Sequence, residues 1–272
     1  MTEDKYITER GVRFMRACVA ALGYEANAQS IGTYSERALH KVLKFYIEPD
    51  ESFHEIRYRG NIADVKNREG ITEIQTRAFS HLKKKLSVFL EDSPVTVVYP
   101  LAAKKYIRRL DAKTGELSER RLSPIRCTVF DAAYELYNIR EFFFRANFSV
   151  KLIFLETEEI KMQGERVKVG RRYREKVNVE RIPRNILSEE ELKTREDFRI
   201  FIPEGLPSQF TVSELERAIG SRFKHGFSVL SLLLCADLVE GPVADGRKKL
   251  YRLKSQSENY RSTENKKDED FV

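Results

Sequence analysis

Cysteine is scarce in this chain of 272 residues: Cys18, Cys127 and Cys235 are odd in number, far apart and set in apolar surroundings. They read as small core residues in a reducing cytoplasm, and no Cys/His spacing suggests zinc. Long apolar runs are missing as well. Nothing approaches 18 consecutive apolar residues, so no transmembrane helix is expected. The first residues, Met-Thr-Glu-Asp-Lys, are acidic and lack an apolar segment, so no signal peptide is expected there. Charge is not strongly one-sided either: 49 Lys and Arg against 42 Asp and Glu leave +7, a weak hint of a polyanionic partner. What the chain does have is 41% hydrophobic content with 17 Phe and 12 Tyr, enough for a sizeable core. Its length suits one large or two ordinary domains.

Residues 53–101 organise the rest. Residues 52–59 alternate apolar and polar and end at Gly60-Asn61, the period of a half-buried strand. Residues 62–65 form a second short strand, 66–70 a polar turn closing on glycine, and 71–76 a third strand. Phe79, Leu82, Leu86 and Phe89/Leu90 then fall at helical spacing, and the β-branched run 95–100 suits a buried strand. If the turn is the four residues 67–70, Lys66 pairs with Ile71 and Asp64 faces Glu73. Two carboxylates facing each other across a ladder repel by roughly 0.2–1 kcal/mol. A divalent cation between them reverses that sign, because Mg²⁺ is held by one or two carboxylates with carbonyls and waters. A solvated hairpin face carries the same Asp…Glu-x-Gln pattern without any metal.

Upstream, residues 33–46 read as an amphipathic helix with Leu39, Val42, Leu43 and Tyr46 as its stripe. Glu36, His40 and Leu43 share a face, although Thr33-Tyr-Ser-Glu36 is also a capping box that would occupy Glu36. The order is helix with Glu36, strand, strand with Asp64, strand with Glu73-Ile-Gln75, helix, strand. It resembles the nuclease core of the restriction-endonuclease-like superfamily, the PD-(D/E)xK nucleases, over about residues 30–155. The resemblance implies an α/β fold, a mixed central sheet flanked by helices. It also implies a Mg²⁺- or Mn²⁺-dependent endonuclease acting on double-stranded DNA, in restriction, repair, recombination or transposon excision. Asp64, Glu73 and the Ile74 carbonyl would hold the metal, with Glu36 acting through water or a second ion. Gln75 stands where that superfamily most often has lysine. A non-catalytic DNA-binding or regulatory protein on the same scaffold is the alternative.

The remainder divides by composition. Residues 6–22 predict a helix with Val12, Met15, Cys18, Val19 and Leu22 as its stripe and Gly23 as its stop. Residues 104–122 predict a basic hairpin, 129–143 a helix, and 148–155 the strand that closes the sheet. Residues 161–184 hold nine basic and three acidic residues, and Arg171, Arg172 and Arg174 surround Tyr173 in a way that suits phosphates and bases. The same charge run also suits a solvated linker. Ser188 to Leu192 reads as a helix N-terminus. Residues 207–254 resemble a winged helix: the capping box Thr211-Val-Ser-Glu214, a second apolar helix over 227–238, then two strands with a basic tip. The expected organisation is a nuclease domain at 1–185, a linker at 186–206, the winged helix at 207–254 and a disordered tail at 255–272. Lys83, Lys84, Arg171, Arg172, Arg174, Arg247, Lys248 and Lys249 are the candidate DNA contacts. A homodimer or partner subunit fits double-strand cutting; a membrane partner does not fit.

Overall fold

The computed structural model describes residues 8–23, 36–111, 114–162, 166–169, 172–175, 178–220, 226–246 and 248–255. The elements in chain order are α1 (Glu9–Leu22), α2 (Glu36–Ile47), β1 (His54–Tyr58), β2 (Asn61–Lys66), β3 (Ile71–Ile74), α3 (Lys83–Phe89), β4 (Val95–Leu110), β5 (Arg121–Leu122), α4 (Val129–Tyr137), β6 (Phe148–Met162), β7 (Arg166–Val169), β8 (Arg172–Glu175), β9 (Asn178–Leu192), β10 (Gln209–Phe210), α5 (Val212–Ile219), α6 (Gly226–Cys235), β11 (Val239–Asp245) and β12 (Lys248–Leu253). A seven-stranded sheet runs β1-β2-β3-β4-β6-β9 with β5 on β4. β1, β2 and β3 are antiparallel neighbours, and β3 and β4 are parallel. The expected mixed sheet with flanking helices is therefore present. Among the described residues no helix is long and apolar enough to cross a membrane.

Compactness divides the chain into two units that do not follow the contiguous partition expected above. The first holds residues 1–76, 92–127 and 151–190, the second 77–91, 128–150 and 191–272.

In the first unit the core joins α1, α2 and the sheet. Phe14, Ala17 and Ala21 meet Leu39, Val42, Leu43 and Tyr46, with Ile74, Val98, Ile153 and Leu155 beneath. Each of the larger side chains, Phe, Leu, Ile and Val, contributes about 1.5–3 kcal/mol on leaving water. The α2 stripe is the one expected. The α1 stripe is so only in part: Cys18 and Leu22 pack against this core, but Phe14, Ala17 and Ala21 are the buried residues and Met15 stays 57% exposed. Residues 14, 17 and 21 are themselves at i, i+3 and i+7 spacing, so the buried face is turned by about one residue to seat the Phe14 ring against Tyr46. Thr8 caps α1 by accepting from the Gly11 amide, and Gly23 ends it at φ 75°.

The expected hairpin over 104–122 forms: the end of the 16-residue β4 pairs antiparallel with β5, and Leu110 bridges Leu117. Two further expectations change. Residues 188–192 are strand, not helix, because they belong to β9. The sheet is thus not complete at residue 155: β6 runs on to Met162 and β9 joins its outer side. The three consecutive glutamates of 189–191 read locally as a helix start, and it is the pairing at the sheet edge that makes this segment a strand.

In the second unit Phe79, Leu82, Leu86 and Phe89 are buried as expected, the first two on a 3-10 turn. Glu135 of α4 accepts from the Ala78 and Phe79 amides at 3.0 and 2.9 Å, which fixes the left-handed Ala78. α5 opens on the expected capping box of Thr211 and Glu214. β10, β12 and β11 form a three-stranded sheet in that order. α6 is buried along Val229, Leu230, Leu232 and Leu233 and carries no charged residue. It therefore packs as core and has no basic face to offer a groove.

Candidate functional site

The β2–β3 hairpin closes as its sequence requires. The Asn67 amide donates to the Gly70 carbonyl at 3.0 Å, and Lys66 pairs with Ile71, Val65 with Thr72. Gly70 sits at φ 140°, and a Cβ there would meet the Pro94 carbonyl oxygen at 2.5 Å, so only glycine fits. One more step along this register sets Asp64 opposite Glu73. There the two side chains take over the pairing. Asp64 Oδ2 accepts from the Ile74 amide at 2.8 Å, and Glu73 Oε1 accepts from the Asp64 amide at 3.2 Å. Each carboxylate is thus held by a backbone N–H, and these charge-assisted bonds offset part of the repulsion between them.

β1 adds a third acid. His54 pairs with Val65 and Ile56 with Ala63, which leaves Glu55 opposite Asp64. Glu55 stands at φ 53°, a conformation that side chains other than glycine adopt at a cost. Its carboxylate accepts from Lys44 Nζ of α2 at 2.7 Å, and that bond holds it below its ordinary 4.5. Lys44 is itself buried. One turn earlier on α2, His40 places Nε2 at 3.1 Å from Asp64 Oδ2. Glu55, Asp64 and Glu73 therefore form a row across three neighbouring strands, with His40 and Lys44 above it. A cavity of about 440 Å³ opens beside the row, lined by His40, Lys41, Lys44, His54 and Glu55 among others.

The row does not converge on one point. Among the described residues no three His, Cys, Asp or Glu side chains are grouped so as to hold a metal ion. What remains is a pair of carboxylates with the Ile74 carbonyl in the same strand. That donor count suits Mg²⁺, which takes one or two carboxylates and completes its shell with water.

The other expected site residues fall as follows. Gln75 lies just past the end of β3, half-buried, and its amide donates to the Val98 carbonyl at 2.9 Å. Glu36 opens α2, and its side chain lies outside the described residues. Lys83 is paired with Glu141 at 2.6 Å, while Lys84 is exposed. Lys248 and Lys249 are exposed on the β11–β12 hairpin. Arg171 and Arg247, the side chains of Arg172 and Arg174, and residues 256–272 lie outside the described residues. Lys44 and Glu55 carried no signal beyond their charge. His40 did carry one, its i+4 place on the Glu36 face.

Comparison with known proteins adds three findings. The model of a family described as a domain of unknown function, DUF8091, matches residues 37–193, more than half of the chain. An uncharacterized protein of Treponema pallidum (strain Nichols) is 29% identical over 232 residues, covering 85% of this chain and 90% of that relative. No solved structure matches.

Proposed function

The chain belongs to the DUF8091 family, and from the β2–β3 hairpin we propose that it is a metal-dependent endonuclease acting on double-stranded DNA. One observation carries the reading. Asp64 and Glu73 stand at one level of an antiparallel pair, each fixed by a backbone amide, at 2.8 and 3.2 Å. They do so within the order helix, three antiparallel strands, helix, parallel strand, the order of parts in the restriction-endonuclease-like core. Asp64, Glu73 and the Ile74 carbonyl would hold Mg²⁺ or Mn²⁺. When bound, such an ion supplies Lewis acidity and lowers the pKa of its water. Gln75 can orient a water by hydrogen bonding but cannot take its proton. Glu36 would act from the start of α2. The helix–helix–hairpin of the second unit would serve as a winged helix, with Lys248 and Lys249 on its hairpin as the DNA or partner contact.

The second reading is a non-catalytic DNA-binding protein on the same scaffold. The observation that favours it is the satisfaction of both carboxylates by protein groups, the Ile74 and Asp64 amides, together with glutamine at 75. Supercoiled plasmid incubated with Mg²⁺, Mn²⁺ or EDTA separates the two. The endonuclease reading expects nicked or linear product with metal, none with EDTA, and none from Asp64→Asn or Glu73→Gln. Intact plasmid with every metal, from folded protein whose Tm does not rise with Mn²⁺, would leave only the scaffold.

A further inference from the structure

From the far part of the same sheet we infer a second site: the β4–β6–β9 arm is a docking surface for the sugar–phosphate backbone of a nucleic acid. It stands apart from the carboxylate pair and does not require it to bind metal. Glu156 and Glu158 of β6 lie low in this arm, their side chains 17% and 5% exposed. Four cations rise around them, Lys104, Arg108, Arg120 and Arg184, at 43%, 30%, 42% and 39%. Glu156 holds Lys104 at 3.0 Å and Arg120 at 2.8 Å. Glu158 holds Arg184 at 2.9 Å, with Arg108 and Arg120 at 3.8 and 3.7 Å. Next to them Glu159 stands between Lys105 at 3.5 Å and Arg181 at 3.3 Å.

Neutralising the acids does not account for this arrangement. Without Arg120, Glu156 still has Lys104 and Glu158 still has Arg184. The acids are recessed and outnumbered, so the solvent-facing layer is positive. Arg120 is also seated, its guanidinium 3.5 Å from the Tyr106 ring centroid, with Lys104 Nζ at 5.3 Å over the same ring. Cations held this way have lost their rotamer freedom during folding, so a ligand does not have to order them. Guanidinium forks match phosphate oxygens in pairs, and the Tyr106 ring holds one such fork in place. An acidic peptide does not offer the regular phosphodiester spacing.

The test is fluorescence anisotropy with a labelled 20-base-pair DNA duplex in EDTA, read as affinity against salt concentration. Arg120→Ala should weaken binding about five- to tenfold near 0.1 M salt and flatten the log–log slope by about 0.9, the loss of one phosphate contact. Glu156→Gln separates the surface from a purely structural lattice. It removes a recessed negative charge, so binding should tighten and the slope should steepen. Unchanged affinity and slope in both variants would overturn the proposal. So would polyglutamate or phosphatidylserine vesicles binding as tightly as the duplex, with the same loss in Arg120→Ala. Because EDTA removes any metal, failure of plasmid cleavage leaves this measurement intact, and failure here leaves the metal-site reading intact.

Discussion

Glu73 in the β2–β3 hairpin and Glu158 in the β4–β6–β9 arm are buried to nearly the same degree, 2% and 4% exposed, yet their surroundings differ in sign. Glu73 faces another carboxylate, Asp64, and the compensation comes from backbone amides at 2.8 and 3.2 Å, with His40 Nε2 standing 3.1 Å from Asp64. Glu158 is approached by three guanidinium groups within 3.8 Å. Burying a carboxylate is costly unless it is paired and hydrogen-bonded, and the two regions meet that cost by different routes. Backbone dipoles leave the hairpin short of positive charge, so a cation would gain by binding there. Guanidinium groups leave the arm with a surplus, so an anion would gain.

Three variants can break this contrast, in order of expected effect. Glu158→Gln removes the acid that Arg184, Arg120 and Arg108 share, while keeping its volume. We expect a loss of about 1–3 kcal/mol in urea unfolding, since hydrogen bonds to charged groups are worth about that much and the cations left behind repel. An unchanged midpoint would mean that the arm's pairs add nothing to stability.

Asp64→Asn should act in the other direction. The amide oxygen can still accept from Ile74, and one of two facing charges is gone, so stability without metal should rise by about 0.2–1 kcal/mol. A fall of about 2 kcal/mol or more would show that the contact with His40, and not repulsion, governs the site.

The smallest effect is one of pH. Burial would raise Glu156, but the hydrogen bonds from Lys104 and Arg120 outweigh it and hold the carboxyl below its ordinary 4.5. A depressed carboxylate contributes stability that is present above the unfolded value and lost as pH falls through the folded one. The stability gap between wild type and Glu156→Gln should therefore be full near neutral pH and close below about pH 4.5. A gap that persists in acid would assign the difference to packing.

Much of the hairpin was legible before any coordinates. A four-residue polar turn ending in glycine fixes Lys66 against Ile71, and counting two residues back on one strand and forward on the other puts Asp64 against Glu73. The α2 stripe and the buried side chains around α3 follow from spacing in the same way. Errors arose where local signals were ambiguous. Two helical stripes one residue apart on α1 look alike until Phe14 is placed against Tyr46. Residues 188–192 carry glutamates that read locally as a helix start, and only the open sheet edge next to β6 settles them as β9.

By itself the sequence determined the hairpin register, the acids at 64 and 73, and the order of helix and strands around them, because these depend on neighbours within a few residues. Tertiary structure alone decided what those acids and the arm would meet. His40 reaches Asp64 across 24 positions, Lys44 reaches Glu55 across 11, and Arg184 reaches Glu158 across 26. Charge pairing depends on distance in space, and the periodicity of a helix or strand carries no record of which distant strand will lie beside it.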